Sequence, residues 1–262
     1  MQYEVYIRLA AFTGLFALFA GLEALTPKRA RVQGRSGRWF TNLSISVLNT
    51  LALRALSVAL PFLAVGAAVD AWSQGWGALN RVAWPLWIEV LLAVLVLDFA
   101  IWGQHWLTHR VPLFWRFHRM HHADRDMDVT TALRFHPVEI LASMGLKIGL
   151  VYALGPQAVA VVLFEVLLNG TALFNHANVA LPLWLDRVVR LVLVTPDMHR
   201  VHHSVQRVEH DSNYGFALSV WDRIFGTYRA QPIGGHDAMV VGLEWQDEKP
   251  ARLGWALWLP FR

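Results

Sequence analysis

The sequence predicts an all-α integral-membrane protein, a helical bundle of about four to five membrane runs with a helical cap on one side that carries clustered histidines. Three observations predict it. Hydrophobic residues make up 55% of the 262-residue chain and charged residues 16%, with mean hydropathy +0.37, against about 45–50% and about 25% in soluble domains. The apolar residues gather in runs near the length of a spanning helix, about 20 residues. The 13 tryptophans suit the aromatic belts that sit at lipid–water interfaces.

The first run, Tyr6 to Leu25, ends in Thr-Pro-Lys-Arg without a small-x-small cleavage site, and its basic residues follow the apolar stretch. Both features predict a spanning helix rather than a signal peptide. Lys28 to Arg38 then holds five basic residues and no acidic ones. Beside an apolar run this reads as a cytoplasmic, positive-inside loop, and it argues against nucleic acid as a partner despite the pI near 9.8. A second run covers Leu43 to Val69, with Arg54 inside it and a kink expected at Pro61. An interfacial Gly/Trp-rich connector, AWSQGWGALNRVAWP, precedes the third run, Leu86 to Trp102, which leads into His105. After the polar stretch ADRDMDVTTALRFHP come Val138 to Leu154 and Ala158 to Phe174, split by Gly155-Pro156. They are expected to be two spans or a re-entrant hairpin. From Ser204 onward the chain is more polar, and its end, ARLGWALWLPFR, is expected to lie on a membrane surface.

This order gives a topological expectation. With the Lys28–Arg38 loop in the cytoplasm, the second run exits and the third returns, leaving His105 to His122 on the cytoplasmic side. A further pair of spans brings His176 and His199 to His203 back to the same side. An odd number of spans between the blocks would separate them.

The histidines are where chemistry concentrates. Five of the 12 lie in HWLTHRVPLFWRFHRMHH, and its HRMHH (His118, His121, His122) has a near copy in HRVHH (His199, His202, His203). Spacings of three and four residues stack side chains on one helix face, and imidazole is the commonest metal-ligating side chain. Asp98, His105 and His109, seven and four residues apart, share a face in the same way. With His176 the set reaches nine imidazoles, which suits two metals better than one. Asp98 either accepts an imidazole N–H and fixes its tautomer or ligates directly. His210 and His236, outside any block, read as surface or hydrogen-bonded core residues. The absence of cysteine excludes disulfides, thiolate-held iron–sulfur or haem centres and cysteine zinc sites. An all-nitrogen site beside a membrane favours redox iron over zinc.

These pieces together resemble the fatty acid hydroxylase/sterol desaturase superfamily of membrane di-iron enzymes. The matching segments are DFAIWGQHWLTHR, LFWRFHRMHH, TALRFHPVE, FNHAN, TPDMHRVHHS and NYGFALSVWDRIFGTY, which span residues 98–228 in the family's order. The last of them also looks like the alkylglycerol monooxygenase branch and its bacterial relatives. The resemblance implies one membrane-embedded catalytic domain over 1–262, with the histidine boxes in 98–228. It implies that His105, His109, His118, His121, His122, His176, His199, His202 and His203 bind two iron ions. His136, in RFHP, matches a recurrent motif histidine. Ala172 stands where family members often carry a further histidine, so a water held by Asn175 or Asn178 is expected to complete the set; Asp98, His136 and Asn175 are the expected catalytic residues. The stripe Trp221, Ile224, Phe225 and Tyr228 is expected to pack as a cover over the histidines.

The implied activity is O2-dependent hydroxylation or desaturation of an aliphatic or sterol-like membrane lipid at an unactivated C–H bond. Electrons are expected from an external redox protein or a reduced pterin, because no Gly-x-Gly-x-x-Gly fingerprint appears. The expected location is a bacterial inner membrane or an endoplasmic-reticulum-type membrane, with the histidine boxes facing the cytoplasm. Two alternatives stay open on the residues alone. One is a zinc-dependent membrane hydrolase. The other is a metal transporter or sensor, for which Glu89, Asp98, Lys147 and Glu165 within the apolar runs are the argument.

Overall fold

A backbone that crosses lipid must hydrogen-bond to itself, so long apolar runs without partner strands fold as helices. The computed structural model describes residues 3–60 and 63–262, and apart from isolated bridges its regular structure is helical. The apolar runs become α1 (Glu4–Leu25), α2 (Arg35–Ala59), α3 (Ala64–Ser73), α4 (Leu86–Arg110), α6 (Pro137–Leu154) and α7 (Ala158–His176), with α5 (Pro112–His122) following α4. By length and composition, five segments can cross a membrane: α1, the region of α2 and α3, α4, α6 and α7. None of the apolar window of α1 is buried by protein, so its surface needs lipid to cover it.

The expected second run divides into α2 and α3, and the kink expected at Pro61 lies outside the described residues. The alanines of α3 (Ala64, Ala67, Ala68 and Ala71) are fully buried or nearly so, and the first three pack with Met144 and Val151 of α6 and Val161 of α7. Between α6 and α7 the chain turns at Gly155, in the left-handed region at φ +65. A Cβ there would lie 2.0 Å from the Trp76 carbonyl oxygen, so the close approach requires glycine. Of the two expected arrangements, α6 and α7 adopt the pair of full-length helices, 18 and 19 residues long.

That pairing sets which ends meet. At one end the loop after α1 bridges the segment after α7: Lys28 N–H donates to Asn178 O (3.0 Å) and Ala180 N–H to Thr26 O (2.9 Å). At the other end Ala78 N–H donates to Ala153 O (2.9 Å). The histidines all lie at the first end.

The cap is built from α5 and the short helices α8 (Leu183–Val189), α9 (Pro196–His202), α10 (Arg207–His210), α11 (Val220–Ile224), α12 (Gly235–Ala238) and α13 (Leu253–Trp258). Proline opens α5, α6 and α9, where its missing N–H costs nothing. The C-terminal segment does not simply rest on a surface. Ala256 and Leu259 are buried in a cluster with Ile45 and Met120, and Arg116 and Arg119 donate to the Pro260 and Leu259 carbonyls at 2.9 and 2.7 Å.

Part of the basic segment is likewise interior. Arg38 is fully buried, donating to Asp124 at 2.6 Å and Asp128 at 2.8 Å, while Asn42 donates to Asp124 at 3.1 Å and accepts from Arg134 at 2.8 Å. Burial alone would raise the Asp124 carboxyl, yet the Arg38 and Arg134 charges hold it below the usual carboxylate range. This network clamps the start of α2 to the loop that follows the first histidine box. Glu89, Lys147 and Glu165 inside the spans also have partners. Glu165 accepts from Lys147 (2.7 Å) and forms an ion pair with Arg8 (2.9 Å), and Glu89 accepts from Gln157 N (2.6 Å) and Nε2 (3.0 Å). Satisfied pairs of this kind staple helices, which removes the argument they gave for a transport path.

Candidate metal centre

Two groups of buried imidazoles form where α4, α5, α7 and α9 converge. His105, His109, His118, His122 and His202 form one, His121, His176, His199 and His203 the other, and within each the ligand nitrogens lie within 4.8 Å of one another. The division follows from helix geometry. In each His-x-x-His-His box one histidine turns to a different group from the other two. HRMHH gives His118 and His122 to the first group and His121 to the second; HRVHH gives His202 to the first and His199 and His203 to the second. Helix α4 supplies only the first group, and α7 only the second. The groups abut: His122 and His203 stack with ring centroids 4.6 Å apart at 14°.

Four of the nine rings are fixed by a bond at Nδ1. His118 donates to Glu139 Oε1 (2.7 Å), His105 to the Tyr214 carbonyl (2.6 Å), His202 to the Ser212 carbonyl (2.7 Å) and His176 to the Ala172 carbonyl (2.7 Å). With Nδ1 carrying the proton, each presents an Nε2 lone pair. Nε2 atoms of His105 and His118 face each other at 3.1 Å, as do those of His121 and His176 and of His176 and His199. In the first pair both Nδ1 atoms are already donors, so two lone pairs oppose each other, and a cation between them relieves that repulsion. An imidazole–metal bond of about 2.1 Å, with ligands at right angles, sets neighbouring nitrogens about 3 Å apart, in line with these spacings. His109, His122 and His203 hydrogen-bond through neither ring nitrogen among the described residues, although all three are buried. Polar atoms so buried call for a partner, and a metal fits the donor set.

Electrostatics agree. Burial first, and then the neighbouring imidazoles, push His121, His122, His199 and His203 far below the ordinary histidine pKa; His202 is pushed the same way by burial and His105. Neutral rings are the ligating form.

Asp98, expected beside an imidazole, accepts instead from Trp221 Nε1 (2.8 Å) and Leu218 N (3.3 Å), tying α4 to α11. His136 joins neither group. Its Nδ1 accepts from Val138 N (3.2 Å) as the N-cap of α6, and its Nε2 faces the Leu257 carbonyl at 3.3 Å. Asn175 donates to the Phe216 carbonyl (2.7 Å), and its Oδ1 is buried without a partner among the described residues. Asn178 is tied to the Arg29 backbone, accepting at 3.1 Å and donating at 2.9 Å, so of the two amides it is Asn175 whose oxygen has no partner among the described residues. Phe225 stacks on Trp102 (4.6 Å) and Trp221 packs on Phe99 (5.0 Å), covering α4, whereas Ile224 is 63% exposed.

Three carboxylates went unread in the sequence. Glu139 holds His118. Asp211 Oδ1 lies 3.5 Å from His109 Nδ1, and these two with His210 form a third close group. Asp222 accepts from Tyr214 N (2.8 Å), Gly215 N (2.9 Å), Trp102 Nε1 (3.1 Å) and Thr227 Oγ1 (2.7 Å), and so positions the carbonyl that anchors His105. Asn213 sits at φ 53, and a Cβ on Gly215 would lie 2.8 Å from Leu218 O, which accounts for the Asn-Tyr-Gly order. Glu139 had a signal, a carboxylate in the first turn after RFHP. Asp211 and Asp222 had none short of their partners.

The pattern of the fatty acid hydroxylase family matches residues 90–227. Over 231 residues the chain is 28% identical to the ornithine lipid hydroxylase OlsE of Rhizobium tropici, covering 87% of this chain and 67% of the relative. It is 34% identical over 161 residues to the human (Homo sapiens) alkylglycerol monooxygenase, covering 60% of this chain and 33% of that protein. A cholesterol 25-hydroxylase-like protein of Danio rerio is 27% identical over 252 residues, covering 87% of this chain and 94% of its own length. The chain thus spans only a third of the length of the human alkylglycerol monooxygenase it matches. No solved structure matches the chain.

Proposed function

Because this chain belongs to the fatty acid hydroxylase family, we propose that it is a membrane lipid hydroxylase whose nine clustered histidines hold two iron ions. The observation that carries this reading is the pair of abutting, buried, all-imidazole groups at one end of a membrane bundle. When bound, the irons supply O2 reduction and oxidation of an unactivated C–H bond. The balance is one oxygen atom into the lipid as hydroxyl and one into water, with two electrons and two protons from an external donor.

The chain's own residues have definable tasks. Glu139 and the carbonyls of Tyr214, Ser212 and Ala172 hold four imidazoles in the tautomer that frees Nε2. Phe135, stacked on His121 at 4.3 Å, and Phe216, 4.8 Å from His105, cover the centre with apolar rings. Both belong to an apolar cluster with Leu97 and Ile101 of α4 and Phe164 of α7, so the side of the centre facing the spans excludes water and suits an alkyl chain. Asn175 Oδ1 is available to hold a water near α7.

The substrate class we propose is a lipid with an aliphatic chain, as the names of the relatives suggest. The centre faces the cytoplasm of a bacterial inner membrane or an endoplasmic-reticulum-type membrane, a reading supported by the basic loop at the same end. The whole chain acts as one catalytic unit. Electrons come from a redox protein or a reduced pterin.

Lipid mass spectrometry of cells with and without the intact gene, plus a His121→Ala control, tests the reading. We expect an O2-dependent lipid product heavier than its precursor by about 16 Da, the mass of one oxygen atom, and its loss in the variant. Full activity of protein carrying only zinc, or an unchanged product in His121→Ala, would overturn it.

A further inference from the structure

A cleft of about 250 Å³ shares Arg200 with the second histidine box, yet none of the nine clustered imidazoles lines it. Its charged lining is Arg29, Arg125, Arg200 and Asp126, with Met239 and Val241 among the apolar walls. Arg200 lies between His199 and His202 in sequence and is 1% exposed. Its Nη1 is bound by Asp197, but its Nη2 is buried with no partner among the described residues. A buried, unpaired guanidinium nitrogen is costly unless something outside the chain accepts from it.

The other two arginines are held in place while keeping donors free. Arg29 Nη2 donates to the Met239 carbonyl (2.6 Å), and Arg125 donates through Nε to Gln246 Oε1 (3.2 Å) and through Nη1 to the Asp247 carbonyl (3.0 Å). The single lining carboxylate is already spoken for: Asp126 accepts from Val32 N (2.9 Å) and Gln33 N (2.7 Å). Asp197 is shared between Arg200 and Lys28, whose Nζ lies 2.8 Å away, so including that pair leaves the balance unchanged. The lining groups alone therefore carry two positive charges in excess, or one when the exposed Glu248, 4.0 Å from Arg125 Nη1, is counted with them. A phosphate monoester brings about −1.5 to −2 charges and three acceptor oxygens, and guanidinium groups match it in geometry.

We propose that this cleft is a binding site for a phosphate monoester, presented by a soluble molecule or by a phosphatidate-type lipid headgroup. It does not depend on the metal reading, because no candidate ligand lines it. It does explain residues that the metal centre leaves unused: Arg29, in the basic segment after α1, and the unpaired Nη2 of Arg200. Binding there would join the segment that follows the first histidine box, through Arg125, to the second box, through Arg200.

The test uses the whole chain purified in detergent. Inorganic phosphate and glycerol 3-phosphate are titrated by calorimetry, and the protein in nanodiscs is compared with and without phosphatidate in phosphatidylcholine. Saturable binding is expected for at least one of these probes, weakened about tenfold or more by Arg29→Gln and by Arg125→Gln, with metal content unchanged. Arg125→Lys, which keeps the charge, is expected to retain part of the affinity, so the result stays readable if a glutamine variant is unstable. Saturation by glycerol 3-phosphate assigns the site to a soluble ligand; saturation by phosphatidate alone assigns it to a headgroup. No saturable binding, or phosphate binding equal in the parent and the glutamine variants as adventitious capture by metal would give, overturns the proposal.

Discussion

Replacing Glu139 by glutamine removes one charge and preserves the side chain's shape, which makes it an incisive probe of the centre. In the structure Glu139 accepts the His118 Nδ1–H at 2.7 Å, and its side chain is only 10% exposed, so solvent does little to replace it. A carboxylate partner raises the basicity of the imidazole and holds its plane; losing such a partner typically costs about 10–100-fold in metal affinity. At about 1.4 kcal/mol per tenfold, that is about 1.4–2.7 kcal/mol, close to the value of one hydrogen bond to a charged group. The assay is iron retained after graded chelation, read by elemental analysis, with thermal unfolding as a control for the fold. Glu139→Gln is expected to shed metal at lower chelator concentration, and Glu139→Ala further still. The informative comparison repeats both in a His118→Ala background, where the carboxylate has no imidazole to act on and the residual affinity is expected not to change. Equal retention in the parent and Glu139→Gln, or an undiminished effect without His118, would refute the reasoning.

Other expectations follow from the same geometry. On the proposed di-iron reading, His122→Ala removes one imidazole of the first group and His203→Ala one of the second, so each is expected to lower bound iron from about two per chain toward about one; elemental analysis of anaerobically purified protein checks this, and a full complement in both would count against the assignment. Gly215→Ala drives a Cβ to 2.8 Å from Leu218 O and from Val194 Cγ2, a mismatch expected to cost about 1–3 kcal/mol in unfolding free energy and to loosen His105 through Tyr214. His136→Ala removes an N-cap rather than a ligand, so about 0.5–2 kcal/mol of stability is expected to go while bound metal stays, the reverse of the pattern for a ligand. Burial holds the folded His136 pKa below its unfolded value of about 6.5, so its contribution is complete above that pH and is lost as pH falls toward the folded value. The stability gap between the parent and His136→Ala should accordingly narrow with acid; a gap that widens below pH of about 6.5 would contradict the cap.

Much of the bundle was legible because its signals are local. Hydropathy over a helix length located α1, α6 and α7 within a few residues and the start of α4, whose last eight residues lie beyond the apolar run, and the three-and-four spacing of the histidines placed them on shared helix faces. What escaped depends on residues far apart in sequence. Arg38 looked like one more charge in a surface loop because its acceptors, Asp124 and Asp128, come 86 and 90 residues later. Asp98 shares a helix face with His105 by spacing, yet a partner 123 residues on, Trp221, takes its carboxylate. His136 sits in a recurrent motif beside the boxes, but the proline after it commits its ring to the start of α6. Periodicity reports which face a residue occupies. It does not report which distant group arrives there.

The way each histidine box divides between the groups bears on how the site is made. A chain synthesised from its N-terminus presents His105, His109, His118 and His122 long before His202, and His121 before any other member of its own group. Until α9 and the residue after it pack against α5, each group lacks at least one of its imidazoles, because His202 belongs to the first and His199 and His203 to the second. A truncation after α7 would keep four of the five histidines of the first group and two of the four of the second, so neither group would be complete.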